Sequence, residues 1–398
     1  MSQRDFTQGN IFKQLFFFST PIIFTNLLQV SYQFIDSLWV GNLLGADALG
    51  AISISGTVIF TVLSFIIGMN NATLTVLSQQ KGKESGDGLK RYLNAFVVVL
   101  TVMSLALGLI GFIFSRHILM FLGTPEQMVP LATSYLQINF IGILFLFGYN
   151  FIGTVFRAVG DSKTPLYFVL AAVVLNTILD PLFIAVFHWG IEGAAYATIL
   201  SQGVAFLSAL LYTLRNKLVP FTLPSLPSKE ETAVIFKLGL PAGLQMSVIS
   251  AGVMAIMSVV NTFGAGVVAG FGAAQRLDSI LMLPAHALST AVNSMAGQNI
   301  GARKWDRVHK IAMYGLVYNF SMMLIVSTLI LVFAEFSIRL FIQEPEAVTF
   351  GAQYLKTIAF FYPFLSINFI LNGAVRASGA MFQVLVLNII SFWVLRYP

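Results

Sequence analysis

YLNAFVVVLTVMSLALGLIGFIFS, residues 92–115, lies between Arg91 and Arg116 and holds no charged side chain. As an α-helix it extends about 36 Å, more than the roughly 30 Å of hydrocarbon in a bilayer. Read outward from it with charges as punctuation, the chain gives further runs of this kind. Span 1 falls roughly at 14–40, span 2 at 48–80, span 4 at 127–156, span 5 at 164–187 and span 6 at 193–214. A polar linker with Pro220, Pro224 and Pro227 occupies 215–237. The stretch 238–275 is free of charge but too long for one helix. Asn261-Thr262-Phe263-Gly264-Ala265-Gly266 divides it into spans 7 and 8, the latter reaching about 299. Span 9 lies near 311–334, span 10 near 352–375, and span 11 begins near 380.

Composition agrees. Of 398 residues, 57% are hydrophobic and 10% charged, where soluble domains carry about 25% charge. Mean hydropathy is +0.84. Such a chain cannot cover its own surface with polar groups, so lipid is part of its solvent. With no cysteine, disulfides and thiolate metal sites are excluded, and His117, His188, His286 and His309 are scattered without ligand spacing. Arg4 and Lys13 precede the first apolar run, and no small-residue cleavage site follows it, so it reads as a retained span rather than a signal peptide.

The loops set the orientation. With the N-terminus in the cytoplasm, 17 basic residues fall inside and only Arg116, Arg339 and Lys356 outside, leaving Arg276 and Arg396 uncounted. This positive-inside bias accounts for the net charge of +6 without nucleic acid.

An offset of 219 residues aligns the two halves. Asn42, Gly45 and Ala46 fall on Asn261, Gly264 and Ala265, and Gln79 and Gly82 on Gln298 and Gly301. Tyr135-Leu136 falls on Tyr354-Leu355, and Arg157-Ala158 with Gly160 on Arg376-Ala377 with Gly379; Pro21 and Pro241 match with one extra residue. An even number of spans per unit makes this a parallel repeat, a plan that suits a transporter. The expected organisation is a six-helix N-terminal lobe over 1–214, a cytoplasmic linker over 215–237 and a C-terminal lobe over 238–398. The second unit is expected to be incomplete by about 35 residues, since Pro398 aligns with Leu179.

The duplicated halves, the run Ser31-Tyr32-Gln33-Phe34-Ile35-Asp36-Ser37-Leu38-Trp39-Val40-Gly41, and Arg157-Ala158-Val159-Gly160-Asp161 resemble the MATE family of multidrug and toxin extruders. The fit is best to its bacterial DinF-like branch. The resemblance implies an all-α membrane protein of twelve helices in two lobes, a monomer in the cell membrane that works by alternating access. It implies no enzyme activity and no cofactor, but export of cationic amphipathic compounds against entering protons or sodium. One branch uses carboxylates in spans 7 and 10 for sodium. Here those spans offer Gln245 and Ser247, and Asn368 and Asn372, so a second-lobe cation site is not expected.

Ionisable groups inside a membrane are functional candidates by default. Asp36 in span 1 and Asp180 in span 5 each lie about seven residues below the outer end of their span, roughly 11 Å down. Tyr135 and Thr198 share that level by the same count. Asn176 stands one turn from Asp180, Tyr32 one turn from Asp36, and Asn139 one turn from Tyr135. Pro181 withholds a backbone donor from Thr177 and suggests a span that switches between straight and kinked. The expected coupling set is Asp36, Asp180, Asn176, Thr198 and Tyr135. Burial favours the protonated carboxyl, so these acids suit proton loading; Asp180, Asn176 and Thr198 equally suit sodium, which takes oxygen ligands. Asp36 and Tyr32 are expected to meet the substrate. Asn150 joins them because the family uses asparagines in span 4, although it lies some 20 residues below the outer end.

Arg276 and Asp278, two apart, do not face each other on a helix and read as structural. Met69, Met246, Met254 and Met257 suit an adaptable apolar cleft or plain packing. Two other classes compete. A lipid-linked saccharide flippase would need cations in the cleft, for which Arg276 is the clear candidate. A membrane enzyme or a channel would need a nucleophile–base pair or a repeated filter, and neither is evident.

Overall fold

The computed structural model describes residues 4–84, 86–391 and 393; the side chains of Ala46, Met254 and Ala265, and the expected end of span 11 with Arg396 and Pro398, lie outside them. The first half comprises α1 (Ile11–Leu44), α2 (Ala46–Gly82), α3 (Gly86–Phe121), α4 (Val129–Ile141), α5 (Ile143–Ala158), α6 (Lys163–Pro181) and α7 (Gly190–Arg215). The second comprises α8 (Lys229–Val260), α9 (Ala265–Leu281), α10 (Leu283–Gly301), α11 (Trp305–Arg339), α12 (Pro345–Ala359), α13 (Tyr362–Ala377) and α14 (Met381–Ile389). Among the described residues seven helices are long and apolar enough to cross a membrane alone, and nine if each sharply bent pair counts as one span. Their outward faces are apolar, as with Leu109 and Ile113 on α3 and Val332 and Phe336 on α11, which is what a lipid contact requires.

Three expected spans are broken. Span 4 bends by 49° between α4 and α5, and span 10 by 55° between α12 and α13. Span 8 divides at Met282 into α9 and α10. The causes are local. Gly142 at the first break lies under Ile199 of α7, and a Cβ there would collide with it. At the other two, Pro284 and Pro363 stand in the first turn of the following helix, where a missing N–H costs nothing. Helix α8 starts within the expected 215–237 linker, because Ser228 and Glu231 form a reciprocal capping box at its first turn.

The repeat is visible in the backbone. Gly45 and Gly264 both turn the chain between helices with positive φ, 85° and 99°. Pro21 and Pro241 lie inside α1 and α8. The halves also grip each other reciprocally at the end where Phe6 lies, the inner end by the charge bias of the loops. From α2, Thr75 Oγ1 donates to Arg376 O (3.1 Å) and Gln79 Nε2 to Ala377 O (2.7 Å). From α10, Ser294 Oγ donates to Arg157 O (2.7 Å) and Gln298 Nε2 to Ala158 O (2.9 Å). Every partner in one set is the 219-residue counterpart of a partner in the other. Gly82 and Gly301 let the backbones approach: a Cβ on either would collide with the carbonyl of Gln298 or of Gln79.

The segments ahead of α1 and α8 cross over in the same way. Phe6, fully buried, donates its N–H to Gln298 Oε1 (3.2 Å), and its carbonyl accepts from Arg307 Nε (2.9 Å). Ahead of α8, Ser225 bonds Asn94 of α3, and in the first turn of α8 Glu231 pairs with Arg91 at 2.7 Å.

Candidate cation site in the first half

Helix α6 presents Asn176 and Asp180 one turn apart, with Asn176 Nδ2 donating to Asp180 Oδ1 at 3.1 Å. Both residues are fully buried. Just beyond Asp180, Pro181 ends the α-helix and the chain makes a wide π-helical turn over Leu182–Val186, a feature frequent at functional sites. Gly193 lets α7 close on this turn, since a Cβ there would meet the Phe183 backbone at 3.0 Å. Phe183, Phe187, Trp189 and Tyr196 stack above it with neighbouring centroids 4.9–5.8 Å apart.

Helix α1 brings Asp36, only 7% exposed, within electrostatic range of Asp180. Tyr135 of α4, also buried, reaches the Asp36 carboxylate with its side chain. Tyr32, one turn below Asp36, donates to Thr198 O of α7 at 3.5 Å. The five expected coupling residues and Tyr32 thus converge from four helices. Asn139 joins them at the edge: its amide bonds the Tyr135 carbonyl at 2.8 Å and lies within reach of the Tyr135 side chain.

Four oxygens at this site are buried without a hydrogen-bond partner: Asp36 Oδ1, Asp180 Oδ2, Asn176 Oδ1 and Thr198 Oγ1. Three of these can only accept while the acids are ionised. An unsatisfied buried polar group costs about 1–3 kcal/mol, so four together call for a positive charge. A sodium ion supplies it by coordination, and a proton on Asp36 or Asp180 supplies it by turning an acceptor into a donor. The donor set fits either cation.

Asn150 lies elsewhere. Its Nδ2 bonds Leu146 O at 2.8 Å, and it lines a separate inner cavity with Gln29, Tyr149 and Arg157. In the sequence Arg157 stands out only as a marker of the repeat and of the family motif, not as a site residue. Arg376 donates to Gln245 Oε1 at 3.2 Å. In the second half Asp278 accepts from Tyr362 at 2.8 Å, a bond that joins α9 to α13. Met69, 1% exposed, packs beneath Gly239 rather than lining a cleft. Among the described residues no cluster of three or more His, Cys, Asp or Glu is placed to hold a metal.

The MatE family model matches residues 21–182 and again 241–398, the two segments beginning at the paired prolines. A probable multidrug resistance protein, YpnP of Bacillus subtilis, is 65% identical over all of this chain and 89% of its own length. A FAD transporter of Shewanella oneidensis is 26% identical over 96% of this chain and 85% of its own. Among solved structures, an outward-facing multidrug resistance MATE transporter superposes with a TM-score of 0.94 at 23% identity, covering 100% of this chain and 89% of the other.

Proposed function

This chain belongs to the MatE family of multi-pass membrane transporters, and from that premise we propose that it exports amphipathic cations in exchange for protons or sodium by alternating access. The reading extends to a monomer in the cell membrane, surrounded by lipid, with its N-terminus in the cytoplasm. One observation carries it: the four unpaired oxygens around Asp36 and Asp180. A cation entering from outside loads there, and its charge is released when the halves reopen inward. A cationic compound near Asp36 and Tyr32 competes for the same negative charge, and that competition makes the two fluxes exchange. The name of the YpnP relative, a multidrug resistance protein, supports the substrate class.

Proteoliposomes loaded with a cationic dye test this under a proton gradient and a sodium gradient imposed separately. Dye movement driven by one of them supports exchange and names the ion; movement driven by neither overturns it. The competing reading, flipping of a lipid-linked saccharide, would rest on Arg276, exposed on α9, as a seat for a pyrophosphate. Saturable binding of a lipid diphosphate, with no binding of cationic dye, would favour that reading instead.

A further inference from the structure

The inner cavity of the first half is walled by four helices. Gln29 comes from α1, Tyr149, Asn150, Gly153 and Arg157 from α5, Pro165 and Phe168 from α6, and Ala209 from α7. Its one formal charge is the guanidinium of Arg157, which stays protonated at any physiological pH. Nε donates to the Gly153 carbonyl at 3.0 Å. Arg157 lines the cavity, and the missing side chain of Gly153 gives its Nη2 room: a Cβ there would stand 3.2 Å from it.

No carboxylate pairs with Arg157 among the described residues, where the ion pairs are Arg91–Glu231 and Arg339–Glu335. Asp161, the nearest acid along the chain, is engaged elsewhere. Its Oδ1 accepts from the amides of Lys163 and Thr164, and its Oδ2 from the Thr164 hydroxyl. The carbonyl end of α5 offsets part of the charge, but a partly buried cation without a carboxylate partner still lacks much of its hydration. Gln29 of α1 lies within reach of the Tyr149 side chain, which is itself within electrostatic range of the guanidinium. The cavity therefore offers a fixed positive charge and a phenolic O–H within apolar walls. Its free volume is about 10 Å³ and it opens on one side, which favours a compact anion over a carboxylate or phosphate.

We propose that this cavity binds a single monatomic anion, chloride in the cell, between Arg157 and Tyr149. The site is independent of the cation site. Gln29 and Asp36 are seven residues apart on α1, so the anion lies about 10 Å below the carboxylates. The second half has no equivalent, because Gln245 takes the Arg376 guanidinium there.

The test uses the full chain in lipid nanodiscs, with sodium chloride exchanged for sodium gluconate at constant ionic strength. Expected are saturable binding of about one radiolabelled chloride per chain and a chloride- and bromide-dependent rise in unfolding temperature. Arg157→Gln should abolish both. Should that variant fail to fold, Tyr149→Phe decides: it removes one hydrogen bond and should weaken halide binding about fivefold. Absence of saturable chloride binding in the wild type, or binding unchanged in whichever variant folds, would overturn the proposal and leave Arg157 a group hydrated from the cytoplasm. Neither readout involves drug export, so failure here is separable from failure of the exchange reading.

Discussion

Tyr135 and Tyr354 occupy the same position in the two halves but have different neighbours. Tyr135 reaches a carboxylate, Asp36. Tyr354 packs edge-on against Phe271 with centroids 5.1 Å apart and stacks on Phe350 at 6.4 Å. The position matching Asp36 falls in the apolar stretch around Ile256. At the inner ends, by contrast, the halves have kept matching residues: Thr75 with Ser294, Gln79 with Gln298, and Gly82 with Gly301. The contrast separates two demands on a duplicated transporter. A clasp between the halves works only if both sides keep their half of it. A cation site needs one set of ligands, so the second set is free to become packing.

The sharpest way to break that comparison is to remove the charge from the first half. Asp36→Asn or Asp180→Asn should reduce gradient-driven efflux to background, whereas Phe271→Leu, at the ring that packs on Tyr354, should leave it within about twofold, since a near-volume-conserving apolar swap costs little. Initial rates from proteoliposomes measure both. Equal loss from all three variants would mean that the halves share the coupling work, and the asymmetry would fall.

The clasp can be tested by locking it. A Cβ built on Gly297 falls 2.8 Å from the Ser78 Cβ, and a disulfide needs roughly 3.5–4.5 Å between such atoms, so a shift of about 1 Å suffices. The chain has no cysteine of its own. Ser78→Cys with Gly297→Cys should therefore lose efflux at least about tenfold on oxidation and regain it with a reductant, if the inner ends must part in each cycle. Full activity in the oxidised form would show that the clasp stays closed throughout transport.

Much of this was legible in the sequence, and what was missed has a physical cause. Charge-free runs gave the spans, and the 219-residue offset gave the repeat, because burial in lipid and turn geometry constrain residue type locally. Counting residues placed Asp36, Tyr135, Asp180 and Thr198 at one depth. Rotation about each helix axis does not follow from depth, so their convergence needed the structure. The breaks at Gly142, Met282 and Phe360 lie inside the expected spans; Pro284 and Pro363 marked two of them, but the third depends on Ile199 arriving from another helix. The clasp was half visible. Gln79, Gly82, Arg157 and Ala158 are repeat markers with their counterparts but Thr75 and Ser294 are not, and nothing along the chain says that Gln79 bonds Ala377 and not its own half.

A milder test compares the two sides of the clasp. Gln79→Leu and Gln298→Leu each remove one bond to a carbonyl, about 1 kcal/mol or fivefold in the closed–open balance. Gln298 also accepts the Phe6 N–H, so its variant should have the larger effect, by a further factor of about five at most. Labelling of a single cysteine at Ser78 from the cytoplasmic side would measure the balance. Identical effects would show that the N-terminal segment adds nothing to closure.

The smallest expected effect concerns that segment. Asp5 accepts from the Thr7 amide at 2.8 Å and from the Gln8 side chain at 2.6 Å. This turn presents the carbonyls of Phe6, Thr7 and Gln8 to Arg307 and Lys304. Burial alone pushes the Asp5 carboxyl up, but the hydrogen bonds from Thr7 and Gln8, with Lys304 nearby, outweigh it and hold the group below its ordinary range. A carboxyl depressed in the folded state stabilises it at neutral pH, and that contribution disappears as the pH falls through the depressed value. Acidification below the usual carboxylate range should therefore loosen residues 4–10 from the second half. The group is solvent-exposed and screened, so the change in amide exchange at Phe6, corrected for intrinsic rates, should stay under about threefold. Asp5→Asn should show the looser exchange already at neutral pH and lose its acid dependence. Acid loosening that persists in this variant would place the titrating group elsewhere, and the crossover ahead of α1 would then differ from the Glu231–Arg91 crossover ahead of α8 in no electrostatic respect tied to Asp5.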